Sequence, residues 1–313
     1  HSILGDWTLN QPENRVKTIF EGIKEVGLRN GYKVEYFNSN NDILDISAED
    51  ISKAALEAKN YDYVVVVLGD NSLRYLKNKR TAGENVDRSS LKLAGNQLEL
   101  LKEIKNTNSN IILVYVNGRP IAENWTEDNI NSIIEAWEPG SLGGLAVGEI
   151  IFGEVNPSGK LPITFPRSVG QLQMIYNHKP SQYYRKYAFE DNIPLYPFGH
   201  GLSYSKLEYS DLTINFENIY KPAINLLFTL QNKSELAADE IVQVYFRDSY
   251  SSVTRPIKEL VDYRRINVGP REIKHIKFKI PLSKLAFLDI DMNKCVEKGQ
   301  FVSPSIRRQI PYS

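Results

Sequence analysis

Between Asn71 and Leu93 the sequence gathers Arg74, Lys77, Lys79, Arg80, Gly83, Glu84, Asp87 and Arg88 in one stretch behind Leu68-Gly69-Asp70. A carboxylate beside a glycine and among bases can exchange a proton with a reacting group, so Glu84 is a candidate general acid/base. Loops this long without structure of their own are usually functional. Charged loop side chains mostly face solvent, however, and residue types alone favour a plain ion-paired surface loop.

Other chemistries find little support. The sequence has no Gly-x-Ser-x-Gly elbow, no phosphate loop of the Walker type and no Gly-x-Gly-x-x-Gly after a strand. Gly140-Ser-Leu-Gly143-Gly144 precedes a helix and could hold an anion; without phosphate-binding spacing, close helix–sheet packing is the better reading. Asp6 and Trp7 could touch a sugar, although a buried tryptophan anchoring a loop is the simpler expectation. Trp137 reads as core within an apolar strand, and Tyr183, Tyr184 and Tyr187 as an amphipathic covering. Asn124-Trp-Thr and Asn232-Lys-Ser match the glycosylation acceptor, a tripeptide that often arises by chance. His1, His178, His200 and His275 are scattered and Cys295 stands alone, so no metal site or internal disulfide is expected, and no cofactor.

The elements that must position such a loop alternate. Pro12-Glu13 predicts a helix start, with Val16, Ile19, Phe20, Ile23 and Val26 at helical spacing and Gly31 as its end. Tyr32–Phe37 reads as a strand. Ser47 and Asp50 form a capping-box variant ahead of Ile51, Ala54, Ala55 and Ala58. Tyr63–Leu68 and Ile111–Val116 are β-branched runs, apolar on both faces, as strands of a parallel sheet covered by helices must be. Gln97–Ile104 reads as helix, Ser132–Ala136 as strand and Leu142–Phe152 as helix. This is an open α/β sandwich with a mostly parallel sheet over residues 1–166, where ligands bind beyond the carboxyl ends of the strands. A proline- and glycine-rich connector follows over 167–204. Across 205–313, strands at Leu207–Phe216, Ile224–Leu230, Ile241–Arg247 and Ile273–Ile280 predict an antiparallel β-sandwich.

The 313 residues amount to about two domains. With 38 basic against 38 acidic side chains the net charge is zero, which removes the footprint of a nucleic-acid or anionic-membrane partner. The longest apolar run, around Val64–Leu68, is far short of the ~18 residues a membrane helix needs.

Taken together, several segments resemble glycoside hydrolase family 3. They are Thr81-Ala-Gly-Glu84-Asn-Val-Asp-Arg88-Ser-Ser-Leu-Lys-Leu93 with Gly95-Asn-Gln-Leu-Glu-Leu100, then Val116-Asn-Gly-Arg-Pro120, Ala136-Trp-Glu-Pro-Gly140 and Phe152-Gly-Glu-Val-Asn-Pro-Ser-Gly-Lys-Leu-Pro162. Tyr176-Asn-His-Lys-Pro180 and Leu195-Tyr-Pro-Phe-Gly-His-Gly-Leu-Ser-Tyr204 continue the series. Val242-Gln-Val-Tyr245, Ser252-Val-Thr-Arg-Pro256 and Lys258-Glu-Leu260 resemble the family's fibronectin type III-like module.

The resemblance implies retaining hydrolysis of β-linked oligosaccharides or glycosides by two carboxylates. It assigns the acid/base role to Glu84, with Asp70 as the weaker alternative, and puts the nucleophile outside this chain on an N-terminal (β/α)8 barrel. It also implies a missing first strand before Leu4-Gly-Asp-Trp7, an altered end after Val302, and a periplasmic or secreted setting. The expected object is then an incomplete, inactive piece of an enzyme, whose Glu84 loop is mobile, solvated and ionised near neutral pH. Arg80 and Arg88 would oppose protonation if they approached Glu84. The alternatives are a non-catalytic carbohydrate-binding or assembly module and, less favoured by the β-sandwich tail, a regulator or periplasmic-binding-type domain.

Overall fold

The first helical pattern resolves into two pieces. In the computed structural model, Glu13–Arg15 is a single 3-10 turn and helix α1 spans Ile19–Arg29. Thr18 takes the start that Pro12-Glu13 was expected to supply. Its hydroxyl accepts from the Glu21 N–H at 3.2 Å, and the Glu21 carboxylate accepts from the Thr18 N–H at 2.8 Å. That reciprocal cap satisfies two amide donors that a proline start leaves exposed. Helix α2 (Ala48–Ala58) carries the Ser47–Asp50 capping box read from the sequence.

The structure describes residues 2–9, 11–38, 42–74, 79–180, 187–217, 222–297 and 301–302. Lys77, Tyr183, Tyr184 and the stretch after Val302 lie outside the described residues. The chain divides into one unit of His1–Val155 with Phe165–Leu172 and a second of Asn156–Thr164 with Gln173–Ser313.

In the first unit, strand β1 (Val64–Gly69), helix α3 (Gln97–Thr107), strand β2 (Ile111–Val116), helix α4 (Asn124–Asn129), strand β3 (Ser132–Glu135) and helix α5 (Gly143–Ile151) follow α2. The strands lie in the order β1-β2-β3, all parallel, with Val64 opposite Ile111 and Ile112 opposite Ser132. Alternate residues of β2 feed two cores. Leu113 and Tyr115 pack with Ile51, Ala54 and Leu101 of α2 and α3, while Val114 and Val116 pack with Ile19, Ile23 and Val147 of α1 and α5. Helices cover both faces, as the continuous apolar runs require.

Four expectations are corrected here. Tyr32–Phe37 is extended but has no ladder. A groove of about 1240 Å³, lined in part by Tyr36, Phe37, Tyr61 and Val65, separates it from the outer edge of β1. Its rings settle against helices instead, Tyr36 on Phe20 and Tyr32 on Phe152. The glycines around α5 serve a helix–helix contact rather than a helix–sheet one. A Cβ on Gly144 would stand 2.0 Å from the Thr18 carbonyl oxygen, and one on Gly22 1.9 Å from that of Gly144, so α1 and α5 meet backbone to backbone. Trp137 is not a strand residue. It follows the end of β3 at φ 53°, half-buried, with its ring edge-on to Phe165 at 5.7 Å. Trp7 is 75% exposed and anchors nothing by burial.

The second unit pairs β4 (Leu207–Glu217), β5 (Ala223–Asn232) and β8 (Ile273–Pro281) in one antiparallel sheet, and β6 (Ala238–Asp248) with β7 (Glu259–Val268) and the two-residue β11 (Phe301–Val302) in another. Leu226, Phe228, Leu230, Val242, Val244 and Phe278 fill the space between. A short hairpin joins β9 (Phe287–Leu288) and β10 (Lys294–Cys295). The two asparagines of the glycosylation tripeptides differ, Asn124 being partly exposed and Asn232 enclosed. Asn232 is fully buried, donating its amide to the Leu236, Val268 and Gly269 carbonyls, and Thr126 beside Asn124 is buried within α4. Among the described residues no helix is long and apolar enough to cross a membrane.

Candidate functional site

The carboxyl ends of β1, β2 and β3 bring together Asp70, Asn117 and Glu135, and the loop after Asp70 rises from that edge. Gln97, fully buried at the start of α3, clamps the last residue of β1. Its side-chain oxygen accepts from the Gly69 N–H at 2.8 Å and its amide donates to the Gly69 carbonyl at 2.9 Å. Asp70 follows with its carboxylate buried. Its Oδ1 accepts from Thr81 Oγ1 at 2.9 Å and from Arg88 Nη1 at 2.5 Å. One buried acid thus ties down both flanks of the segment that carries Glu84. The Thr81 N–H adds a bond to the Asn71 carbonyl at 2.8 Å, and Arg119 reaches the Val86 carbonyl at 2.9 Å.

Glu84 itself is about half exposed, at 49%. Neither Arg80 nor Arg88 meets its carboxylate. Arg74 does, as an ion pair, and the Arg74 guanidinium lies 3.7 Å from the Trp7 ring centroid. Arg88 is spent on Asp70 and Arg80 on Asp6. The site edge therefore presents a half-exposed carboxylate paired with Arg74, and an exposed indole, Trp7, on which the same guanidinium stacks. The side chain is solvated, while the backbone around it is held. A partly exposed ion pair of this kind is worth only about 0–1 kcal/mol.

A second carboxyl group went unnoticed in the sequence. Glu135 ends β3, and burial raises its pKa to about 8. The Trp137 N–H at 3.1 Å and the Asn117 amide at 3.4 Å oppose that rise, and the negative charge of Asp70 adds to it. Partly buried at the end of the strand, this carboxyl is shifted toward its protonated form. Its position as the last residue of the strand in an open α/β sheet is the signal that could have found it. Glu138, three residues on, accepts from Ser72 Oγ at 2.6 Å. Among the described residues no group of three or more His, Cys, Asp or Glu side chains is arranged to hold a metal ion.

The first unit is thus an open parallel sheet with a carboxylate-bearing loop at its carboxyl edge, and the second an antiparallel sandwich. Residues 1–204 match the glycosyl hydrolase family 3 C-terminal domain and residues 240–302 a fibronectin type III-like domain. The chain belongs to glycosyl hydrolase family 3. It is 39% identical over 264 residues to a β-xylosidase of Formosa agariphila, covering 83% of this chain and 36% of that protein. It is 31% identical to a periplasmic β-glucosidase of Salmonella typhimurium, covering 96% and 42%. A β-glucosidase from Listeria innocua solved with isofagomine superposes with a TM-score of 0.83 at 26% identity, over 95% of this chain and 41% of that one. The chain thus spans about two fifths of the length of these relatives.

Proposed function

We propose that this chain supplies the general acid/base, Glu84, to a retaining β-glycosidase whose nucleophile sits on a barrel domain outside it. The observation that carries the reading is Glu84 itself, the reachable carboxylate of a loop whose flanks are anchored to buried Asp70. Asp70 makes a poor proton carrier by comparison, since its carboxylate is enclosed and already engaged by Arg88 and Thr81. Retention needs two carboxyl groups about 5–5.5 Å apart across the anomeric carbon. In the first half-reaction Glu84 protonates the leaving oxygen as the nucleophile attacks. In the second it takes a proton from water as the glycosyl–enzyme bond breaks. The substrate class is a β-linked glucoside or xyloside, following the relatives, and the exposed Trp7 ring, joined to Glu84 through Arg74, suits the C–H face of a pyranose ring.

The test compares the isolated chain with an enzyme assembled from it and a barrel domain, on cellobiose and on an aryl β-glucoside. The isolated chain should be inert. Glu84→Gln in the assembled enzyme should lose most cellobiose turnover and less on the aryl glucoside, whose leaving group needs little protonation. Normal cellobiose turnover by that variant removes Glu84 from the role. The exposed Trp7 ring also suits a non-catalytic sugar-binding module. Calorimetric titration of the isolated chain with cellobiose distinguishes that reading, which requires millimolar or tighter binding.

A further inference from the structure

We propose that Asp6 is a positioning residue for the acid/base group, acting through the main chain of Glu84; this rests on the role assigned to Glu84 above. Asp6 lies 78 residues earlier, ahead of α1, yet its Oδ2 accepts from the Glu84 N–H at 2.7 Å. Its Oδ1 accepts from Arg80 Nη2 at 3.0 Å, and the same Nη2 donates to the Glu84 carbonyl at 3.1 Å. Both main-chain polar groups of Glu84 are therefore held by one carboxylate–guanidinium pair, the N–H directly and the C=O through Arg80. Arg80 is itself fixed by the Ser72 carbonyl at 3.3 Å, and Arg74 Nε reaches Asp6 Oδ1 at 3.2 Å.

The fit is close enough to dictate a neighbour. Gly83 has φ +101°, and a Cβ there would stand 2.6 Å from Arg80 Nη2 and 2.9 Å from Asp6 Cγ. Only glycine lets the loop press onto this pair. The Asp6 side chain is 11% exposed and its oxygens are engaged by the loop amide and two guanidinium groups. That arrangement leaves it unsuited to a sugar hydroxyl, the role its place beside Trp7 suggested, and suited to setting where Glu84 stands. A catalytic group displaced by about 1 Å loses on the order of a hundredfold in rate, so a backbone anchor this near the acid/base group has a direct kinetic consequence.

Asp6→Asn keeps the shape of the side chain but turns one acceptor oxygen into an N–H facing other donors. In the isolated chain, amide hydrogen exchange at Glu84 should quicken by about tenfold or more, the loss expected for a charge-assisted hydrogen bond, while the amides of β1 and β2 keep their protection. Unchanged exchange at Glu84, or an equal loss across the sheet, overturns the proposal. In the assembled enzyme, kcat on cellobiose should fall about tenfold or more with KM unchanged, and Asp6→Asn should cost nothing further in a Glu84→Gln background. Additive losses overturn the claim that Asp6 acts through Glu84. Normal cellobiose turnover by Glu84→Gln alone would instead defeat the acid/base reading, and the exchange measurement would still decide whether Asp6 fixes the loop.

Discussion

Replacing Glu135 by Gln should stabilise the first unit at neutral pH and leave it nearly unchanged at pH 4. Burial sets the Glu135 pKa at about 8 against an ordinary value of 4.5. Below about pH 4.5 folded and unfolded chains both hold the proton, and the group adds no pH dependence. Between 4.5 and 8 the unfolded chain releases the proton while the folded one keeps it. Stability present at low pH is therefore lost as pH rises, by about 1.4 kcal/mol per unit, and becomes level again above 8. The loss amounts to about 3 kcal/mol at pH 7 and at most about 5 kcal/mol above pH 8, before any relief from water reaching the carboxylate. Gln keeps the acceptor for the Trp137 N–H and never ionises, so its stability curve should lack this slope. Urea unfolding followed by tryptophan fluorescence reads the right unit, because Trp7, Trp125 and Trp137, the chain's three tryptophans, all lie in it. Parallel curves for the two proteins between pH 4 and 9, or a variant weaker throughout, would refute the placement of a neutral acid at the end of β3.

Gly144→Val should cost about 3 kcal/mol or more in the same titration, because the new side chain forces α5 away from the Thr18 carbonyl and Ala at that site already collides with it. Asn232→Ala should lower the stability of the second unit by about 1–3 kcal/mol, since the Leu236, Val268 and Gly269 carbonyls lose their shared donor; calorimetry reads this as a drop in that unit's melting temperature. Arg74→Gln should change stability by less than about 1 kcal/mol, its ion pair with Glu84 being partly exposed, and a larger loss by urea unfolding would mean that Arg74 has a structural role.

The parts of the fold legible in the sequence are those governed by short-range rules. Ser47 and Asp50, three residues apart, mark the start of α2, and the β-branched runs give β1 and β2. The Glu84 loop stood out because its length and charge are local properties. The segments that misled depend on neighbours distant in the chain. Tyr32–Phe37 alternates as a strand does, but a ladder needs an adjacent edge within reach, and here a groove intervenes. β7 escaped notice because Asp262, Arg264 and Arg265 interrupt its apolar pattern; in the structure these side chains face outward or find partners such as Asp239. At the site, neither the Asp6–Glu84 contact nor the Arg74–Trp7 stack follows from spacing, since each joins segments more than sixty residues apart. Glu135 was hidden for the opposite reason: it ends a short apolar run, where its burial depends on how Trp137 turns back.

The outer margin of β1 has a chemical consequence for anyone handling this chain. Four consecutive valines there end in a row of amide and carbonyl groups that, among the described residues, no strand engages. A bare margin of that composition is a template onto which any extended, branched peptide can zip. Concentrating the material is therefore expected to drive reversible self-association through this margin, fading on dilution.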